Sequence, residues 1–111
     1  MQLDHWHRGR VVLIGDAAHA GAPTMAQAGI MAMEDAYVLA ALLRSAETVE
    51  SALDSYVTRR KPRTTWVQQQ SRGLLEIFLM PPAQRNPAFR ERGNQMMHDI
   101  FAPLIPAPSS L

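Results

Sequence analysis

Between Val11 and Leu43 the chain reads VVLIGDAAHAGAPTMAQAGIMAMEDAYVLAALL. An apolar run, a Gly-Asp exit, a loop holding one proline and a helix of small residues with a Glu-Asp pair follow one another without a break. Arg10 to Ile14 predicts a short strand ended by Gly15. Asp16 then stands just beyond the carboxyl end of a buried strand, where open α/β sheets place their ligands. A carboxylate there can accept the hydroxyls of a ribose or ribityl chain. From Ala17 to Ala28 the only polar side chains are His19, Thr24 and Gln27. The backbone of such a loop can come close to a ligand, and amides at the start of a helix favour a pyrophosphate or an electron-rich ring edge. The stretch therefore suits a charged, flat ligand.

The strand is apolar on both faces, so it needs hydrogen-bonded neighbours on both sides. Trp6 and His7, just before it, read as packing residues. Ile30 to Leu43 is apolar on nearly all sides, interrupted only by Glu34 and Asp35, as in a helix buried in a larger body. Thr48 can cap a second helix with Ala52, Leu53, Tyr56 and Val57 on one face, and Pro62 is expected to kink or break it near Lys61. A third helical stretch runs from about Thr64 to Met80 on a stripe of Trp66, Leu74, Ile77 and Phe78, and Pro81-Pro82 stops it. Asn86-Pro87 reads as the opening of a last helix with Phe89, Met96, Met97, Ile100 and Phe101 on its apolar side. Ala102 to Leu111 holds three prolines and reads as an irregular tail.

Eleven basic and ten acidic residues leave a formal net charge of +1. That balance offers no broad attraction for nucleic acid or an anionic membrane. The basic run Arg59, Arg60, Lys61 and Arg63 reads as a solvated helix face in preference to a phosphate patch. Cysteine is absent, which excludes disulfides and thiol catalysis and fits a reducing, cytoplasmic setting. No apolar run approaches the ~20 residues of a membrane span, and the first residues lack the apolar core of a signal peptide.

Several side chains carry competing readings. Asp16 and His19 with Glu34 and Asp35 offer divalent-metal ligand types, but a loop separates the pairs and nothing fixes their geometry. His98-Asp99 reads as a pair on a helix surface. His19 could act as a general base, yet no nucleophile and orienting acid are evident around it, which favours a structural histidine. Glu34 and Asp35 point about 100° apart on a helix, so they cannot both face one substrate atom. They are expected to hold backbone or to pair with an arginine outside this sequence. Met31 and Met33 read as core filler, and Met25, in the loop, as a residue that approaches the ligand ring.

Taken together, GDAAH, Pro23, AQAG and AMEDAYVLA resemble the second FAD-binding motif of the flavin-dependent aromatic hydroxylases, single-component monooxygenases built like para-hydroxybenzoate hydroxylase. SALDSYVTRRKPR continues the likeness. The resemblance implies that Asp16, after Gly15, binds the ribityl chain and that Pro23 lies near the isoalloxazine. It also implies that the backbone of Ala28, Gly29 and Ile30 points at the pyrimidine edge of the flavin. In such enzymes the flavin activates oxygen, NADH or NADPH supplies electrons, and a small aromatic substrate is hydroxylated. No residue of this segment is implied as a catalytic base.

The implied fold class is an α/β fragment: mainly helical, one strand at about 10–14, a ligand loop and three to four helices, part of a Rossmann-like FAD-binding domain. Residues 1–80 are assigned to the carboxyl-terminal part of that domain, and 81–111 to a final helix with a proline-containing tail. Many members carry Gly-Gln-Gly where this chain has Ala26, Gln27 and Ala28, a change that costs little unless the backbone needs positive φ. GxGxxG after a strand is missing, so the ADP half of FAD has no site in this sequence. The expectation is a carboxyl-terminal piece of a longer enzyme, inactive or barely active alone. The alternatives are a non-enzymatic helical module, self-associating through exposed apolar helix faces, and a small hydrolase built on Asp16, His19 and Glu34.

Overall fold

The computed structural model describes residues 2–105, with the side chains of Ala88 and Arg92 left aside. In place of one strand at 10–14 it holds a short hairpin: β1 (His7–Arg8) pairs antiparallel with β2 (Val11–Val12), His7 opposite Val12 and Arg8 opposite Val11. The Leu13 N–H extends the ladder by donating to the Trp6 carbonyl at 2.8 Å. Gly9, at φ 55°, makes the turn. The sequence WHRGRVV thus brings its own partner strand, and Gly9 followed by one residue between two short runs was the signal for it. The other edge of β2 has no partner among the described residues, and Val11 is 72% exposed.

Four helices follow: α1 (Asp16–His19), α2 (Ala28–Ser45), α3 (Val49–Leu79) and α4 (Pro82–Phe101), with 3₁₀ turns at Pro23–Met25 and Ala102–Leu104. Thr48 caps α3 as expected, accepting the Ser51 N–H while the Ser51 hydroxyl faces the Thr48 N–H. Pro62 does not break the helix. Ala52, Leu53, Tyr56, Arg60, Thr64, Val67, Ser71 and Leu74 are all buried, a stripe at helical spacing that runs straight through the proline. Pro62 lies on the exposed side, where water can satisfy the carbonyl its missing N–H would have bonded. Arg60, Thr64 and Ser71 interrupt the apolar pattern of that stripe, so sequence periodicity divides one helix into two.

α4 begins a turn earlier than Asn86-Pro87, because Pro82 occupies the first helical position and the Pro81 carbonyl accepts from the Gln84 and Arg85 N–H groups. The expected tail from Ala102 opens with a 3₁₀ turn, and residues 106–111 lie outside the described residues.

Two clusters hold these elements together. Trp6, Ala18, Val38 and Tyr56 join the hairpin, α1, α2 and α3; Met25, Leu74 and Ile100 join the loop, α3 and α4. Met25 is therefore core, with 2% of its surface exposed, and not a residue reaching for a ligand ring. α2 buries Met31, Asp35 and Val38 while Ile30, Met33 and Tyr37 stay exposed, so only one face of this apolar helix is covered. Because Pro62 removes a helical hydrogen bond from the middle of α3, Pro62→Ala should raise the unfolding free energy, by up to about 3 kcal/mol. Urea titration checks it, and an unchanged or lower midpoint would contradict the reading.

Candidate functional site

Gly15 leaves the hairpin at φ 58° and ψ −140°, and a Cβ built on it would sit 3.1 Å from Ala32 Cβ. Only glycine tolerates that combination of backbone and space. Gly15 is held at both ends: its carbonyl accepts the N–H groups of Ala18 and His19, each at 2.9 Å, and its own N–H donates to Asp35 Oδ2 at 2.9 Å. Asp16 is therefore the first residue of a four-residue helix anchored by its predecessor, with its side chain turned to solvent.

The same Asp35 oxygen accepts from His19 Nε2 at 2.6 Å. A carboxylate only accepts, so that nitrogen carries the hydrogen. Asp35 Oδ1 accepts from Arg60 Nε at 2.8 Å, and both side chains are fully buried. Arg60 Nη1 also lies 2.8 Å from Glu34 Oε2, an ion contact off the hydrogen-bonding direction. Arg63 takes Glu34 in a two-pronged grip, both bonds 2.7 Å, and reaches the carbonyls of Pro103 and Leu104. The arginines expected from elsewhere are thus in this chain. Two members of the basic run form buried or half-buried ion pairs and not a solvated face, because α3 passes directly over Glu34 and Asp35.

Burial alone would push both carboxyls up. At Asp35 the hydrogen bonds from His19, Arg60 and Gly15 outweigh it, and at Glu34 those from Arg63 and the charge of Arg60 do, so both lie below their ordinary values. The Tyr56 hydroxyl, buried, is pushed up by that burial and then by the Asp35 charge. Trp6 covers the cluster, its ring 5.5 Å from His19 and 6.0 Å from Tyr56. His19 does have an orienting acid, Asp35, but it is itself buried, which suits the structural role.

The loop turns its polar groups inward. Thr24 Oγ1 donates to the Ser71 carbonyl, Gln68 Nε2 to the Ala20 carbonyl at 2.9 Å, and Gln27 Nε2 to the Met25 carbonyl at 3.3 Å. Ala17, Ala20, Gly21, Pro23, Ala26, Ala28 and Gly29 remain on the outside, a surface of methyl groups and backbone. Ala26 sits at φ 53°, so the backbone does require the left-handed conformation at that alanine. Ala28, Gly29 and Ile30 form the exposed first turn of α2, whose N–H groups have no helical acceptor, and Gln27 supplies no side-chain cap. The arrangement thus offers a ligand a hydrogen-bond acceptor at Asp16, a bare apolar surface along the loop and backbone donors at the start of α2. Among the described residues no group of three or more His, Asp or Glu is placed to hold a metal ion. No described helix is long and apolar enough to cross a membrane.

Residues 1–71 match the family described as the FAD binding domain, and the chain belongs to that family. Its cofactor is FAD. Kynurenine 3-monooxygenase of Stenotrophomonas maltophilia is 42% identical over 91 residues, 80% of this chain and 19% of that protein. The 3-amino-4-hydroxybenzoate 2-monooxygenase PtnB3 of Streptomyces platensis is 41% identical over 81 residues, 72% of this chain and 20% of its own length. YetM of Bacillus subtilis, whose name marks it as a proposed FAD-dependent monooxygenase, is 56% identical over 66 residues, 60% of this chain and 18% of that protein. The chain thus spans about a fifth of the length of these relatives, and it is a stretch of the FAD-dependent monooxygenase family.

Sequence reasoning missed Arg60, Arg63 and Tyr56 as members of this cluster. Tyr56, Arg60 and Thr64 recur every four residues, which is the signal that places an arginine on a buried face.

Two outcomes follow from this geometry. The folded state resists protonation of Glu34 and Asp35, whereas the unfolded chain takes up protons at the ordinary values of 4.5 and 3.8. Their contribution to stability is complete above those values and is lost as pH falls below them. The urea midpoint should therefore drop between neutrality and about pH 3, and Arg63→Met should lessen the drop. Ala26→Gly removes a left-handed alanine and should stabilise by about 1 kcal/mol, measured as a rise in the same midpoint.

Proposed function

We propose that this chain supplies the flavin-facing part of an FAD-dependent monooxygenase that uses NADH or NADPH and O2 to hydroxylate an aromatic or related small organic substrate. The observation that carries the reading is the exposed Asp16 carboxylate, set on a rigid turn beside a loop without outward polar side chains, in a chain of the FAD binding domain family. In this reading Asp16 accepts hydroxyls of the ribityl chain and Gly15 lets the backbone reach it. Pro23, fixed at the start of its 3₁₀ turn, and the small residues around it give a flat ring close access. The free N–H groups of Ala28, Gly29 and Ile30 favour negative charge at the ring edge, as helix amino ends do. FAD supplies the redox and oxygen chemistry when bound; the residues here bind, orient and shield it from water.

The names of the relatives, a kynurenine 3-monooxygenase and a 3-amino-4-hydroxybenzoate 2-monooxygenase, support an aromatic substrate class. The non-enzymatic helical module has exposed apolar residues behind it, Ile30, Met33 and Tyr37 on α2 and Leu75, Phe78 and Leu79 on α3, which suit contacts within a larger enzyme equally well. A charge-assisted hydrogen bond contributes about 1.5–3 kcal/mol, so Asp16→Ala should weaken FAD binding at least tenfold while leaving thermal stability unchanged. Quenching of flavin fluorescence on titration of the whole enzyme that carries this stretch measures it. Equal affinity in both proteins refutes the assignment.

A further inference from the structure

We propose that Asp35 is a positioning residue for the ligand site: its buried, charged carboxylate, held by Arg60, clamps both ends of α1 and so sets where Asp16 stands. The inference rests on the reading of Asp16 as the flavin-contacting acid. It goes beyond that reading by assigning a task to residues that touch no ligand.

Four ionised side chains sit buried or mostly buried between α2 and α3. Apolar replacements of similar volume are often as stable as a buried ion pair or more so, so stability is a weak reason for such a cluster. What the cluster holds is more telling. Asp35 Oδ2 accepts from the Gly15 N–H at 2.9 Å and from His19 Nε2 at 2.6 Å. Gly15 caps α1 and His19 is its last residue. A helix of four residues has no stability of its own, so one oxygen atom fastens α1 at both ends, with Asp16 between the fastenings.

The backbone of Gly15 supports the same conclusion. Its φ of 58° with ψ of −140° is a conformation that glycine, free to take many others, holds only where its surroundings fix it. Here the surroundings are the Asp35 carboxylate on the N–H, the α1 amides on the carbonyl and Ala32 against the missing side chain. Arg60 has the complementary task. Its Nε on Oδ1 keeps Asp35 charged and leaves Oδ2 to α1. Both oxygens of one carboxylate are thus divided between α3 and the ligand turn.

The decisive variant is Asp35→Leu with Arg60→Met, which removes the two charges together and leaves Glu34 paired with Arg63. Two readouts are taken on the same protein: hydrogen exchange at the Gly15 amide and affinity for FAD by fluorescence quenching. The expected result is retained protection along α3, Gly15 exchange faster by tenfold or more, and FAD affinity reduced by tenfold or more. His19→Leu, which cuts one fastening and keeps the Asp35–Arg60 pair, provides a second variant that does not leave a buried charge unpaired. It should lower FAD affinity at least threefold. Ile100→Ala, a core change in the separate cluster between α3 and α4, should lower stability without moving either readout. Wild-type protection of Gly15 in both cluster variants overturns the proposal, as does wild-type FAD affinity in both while Asp16→Ala weakens binding. If Asp16→Ala leaves FAD affinity unchanged, the reading of the ligand site fails, and Gly15 exchange still decides whether Asp35 sets the turn.

Discussion

The packing of α1, α2 and α3 converges on one buried carboxylate. Asp35, fully buried on α2, receives Arg60 from α3 on one oxygen and the two ends of α1 on the other. An ionised carboxylate in that position is tolerable because three donors meet it, from Gly15, His19 and Arg60, all of them buried. Removing Arg60 alone would leave a buried negative charge, and removing Asp35 alone would leave a buried guanidinium. The pair therefore locks the packing register of α2 on α3, and that register carries the turn at Gly15 with it.

The second constraint is the distribution of polarity in the loop from Ala17 to Ala28. Its polar side chains turn inward, to Asp35, to the Ser71 carbonyl and to the Met25 carbonyl, while Gln68 reaches in from α3 to the Ala20 carbonyl. This satisfies backbone and side-chain groups that would otherwise require water, and leaves small side chains outside. The loop is thereby held close to α3 by hydrogen bonds and by Met25 in the second core cluster. A rigid, featureless outer surface beside an exposed acid is what a flat, polyhydroxylated ligand needs: specific hydrogen bonds at one end and unobstructed contact along the ring. The left-handed Ala26 shows that the path of the loop is maintained at a local cost, with packing elsewhere offsetting it.

Much of this was legible in the residues themselves. The Gly-Asp exit, the small-residue loop, the capped start of α3 and the mainly helical class follow from local chemistry that acts over a few positions, and the likeness of the stretch from GDAAH through AMEDAYVLA to an FAD-binding motif led to the family to which the chain belongs. Less was legible where a residue's role depends on something distant in sequence. The hairpin was read as one parallel-type strand because its partner is only two residues long. The basic run was read as a solvated face because, in a helical stretch taken alone, arginine on a buried stripe looks like an interruption. Met25 was read toward the ligand because its burial partners, Leu74 and Ile100, lie far along the chain.

The sequence by itself determined that a glycine must precede Asp16 and that a helix of small residues must follow the loop, since backbone freedom and helical periodicity are properties of neighbouring residues. It also determined where chain direction changes, at Thr48 and the Pro81-Pro82 pair. Only the tertiary structure decided that Pro62 is carried inside one continuous helix, that Arg60 and Arg63 turn inward, and that His19 and Gly15 share a single oxygen of Asp35. The physical reason is that each depends on distant parts of the chain. The buried charges and the Gly15 turn are held by groups 16 to 29 positions away in sequence, Pro62 is carried because the stripe running past it is buried against the rest of the fold, and no local pattern encodes either arrangement.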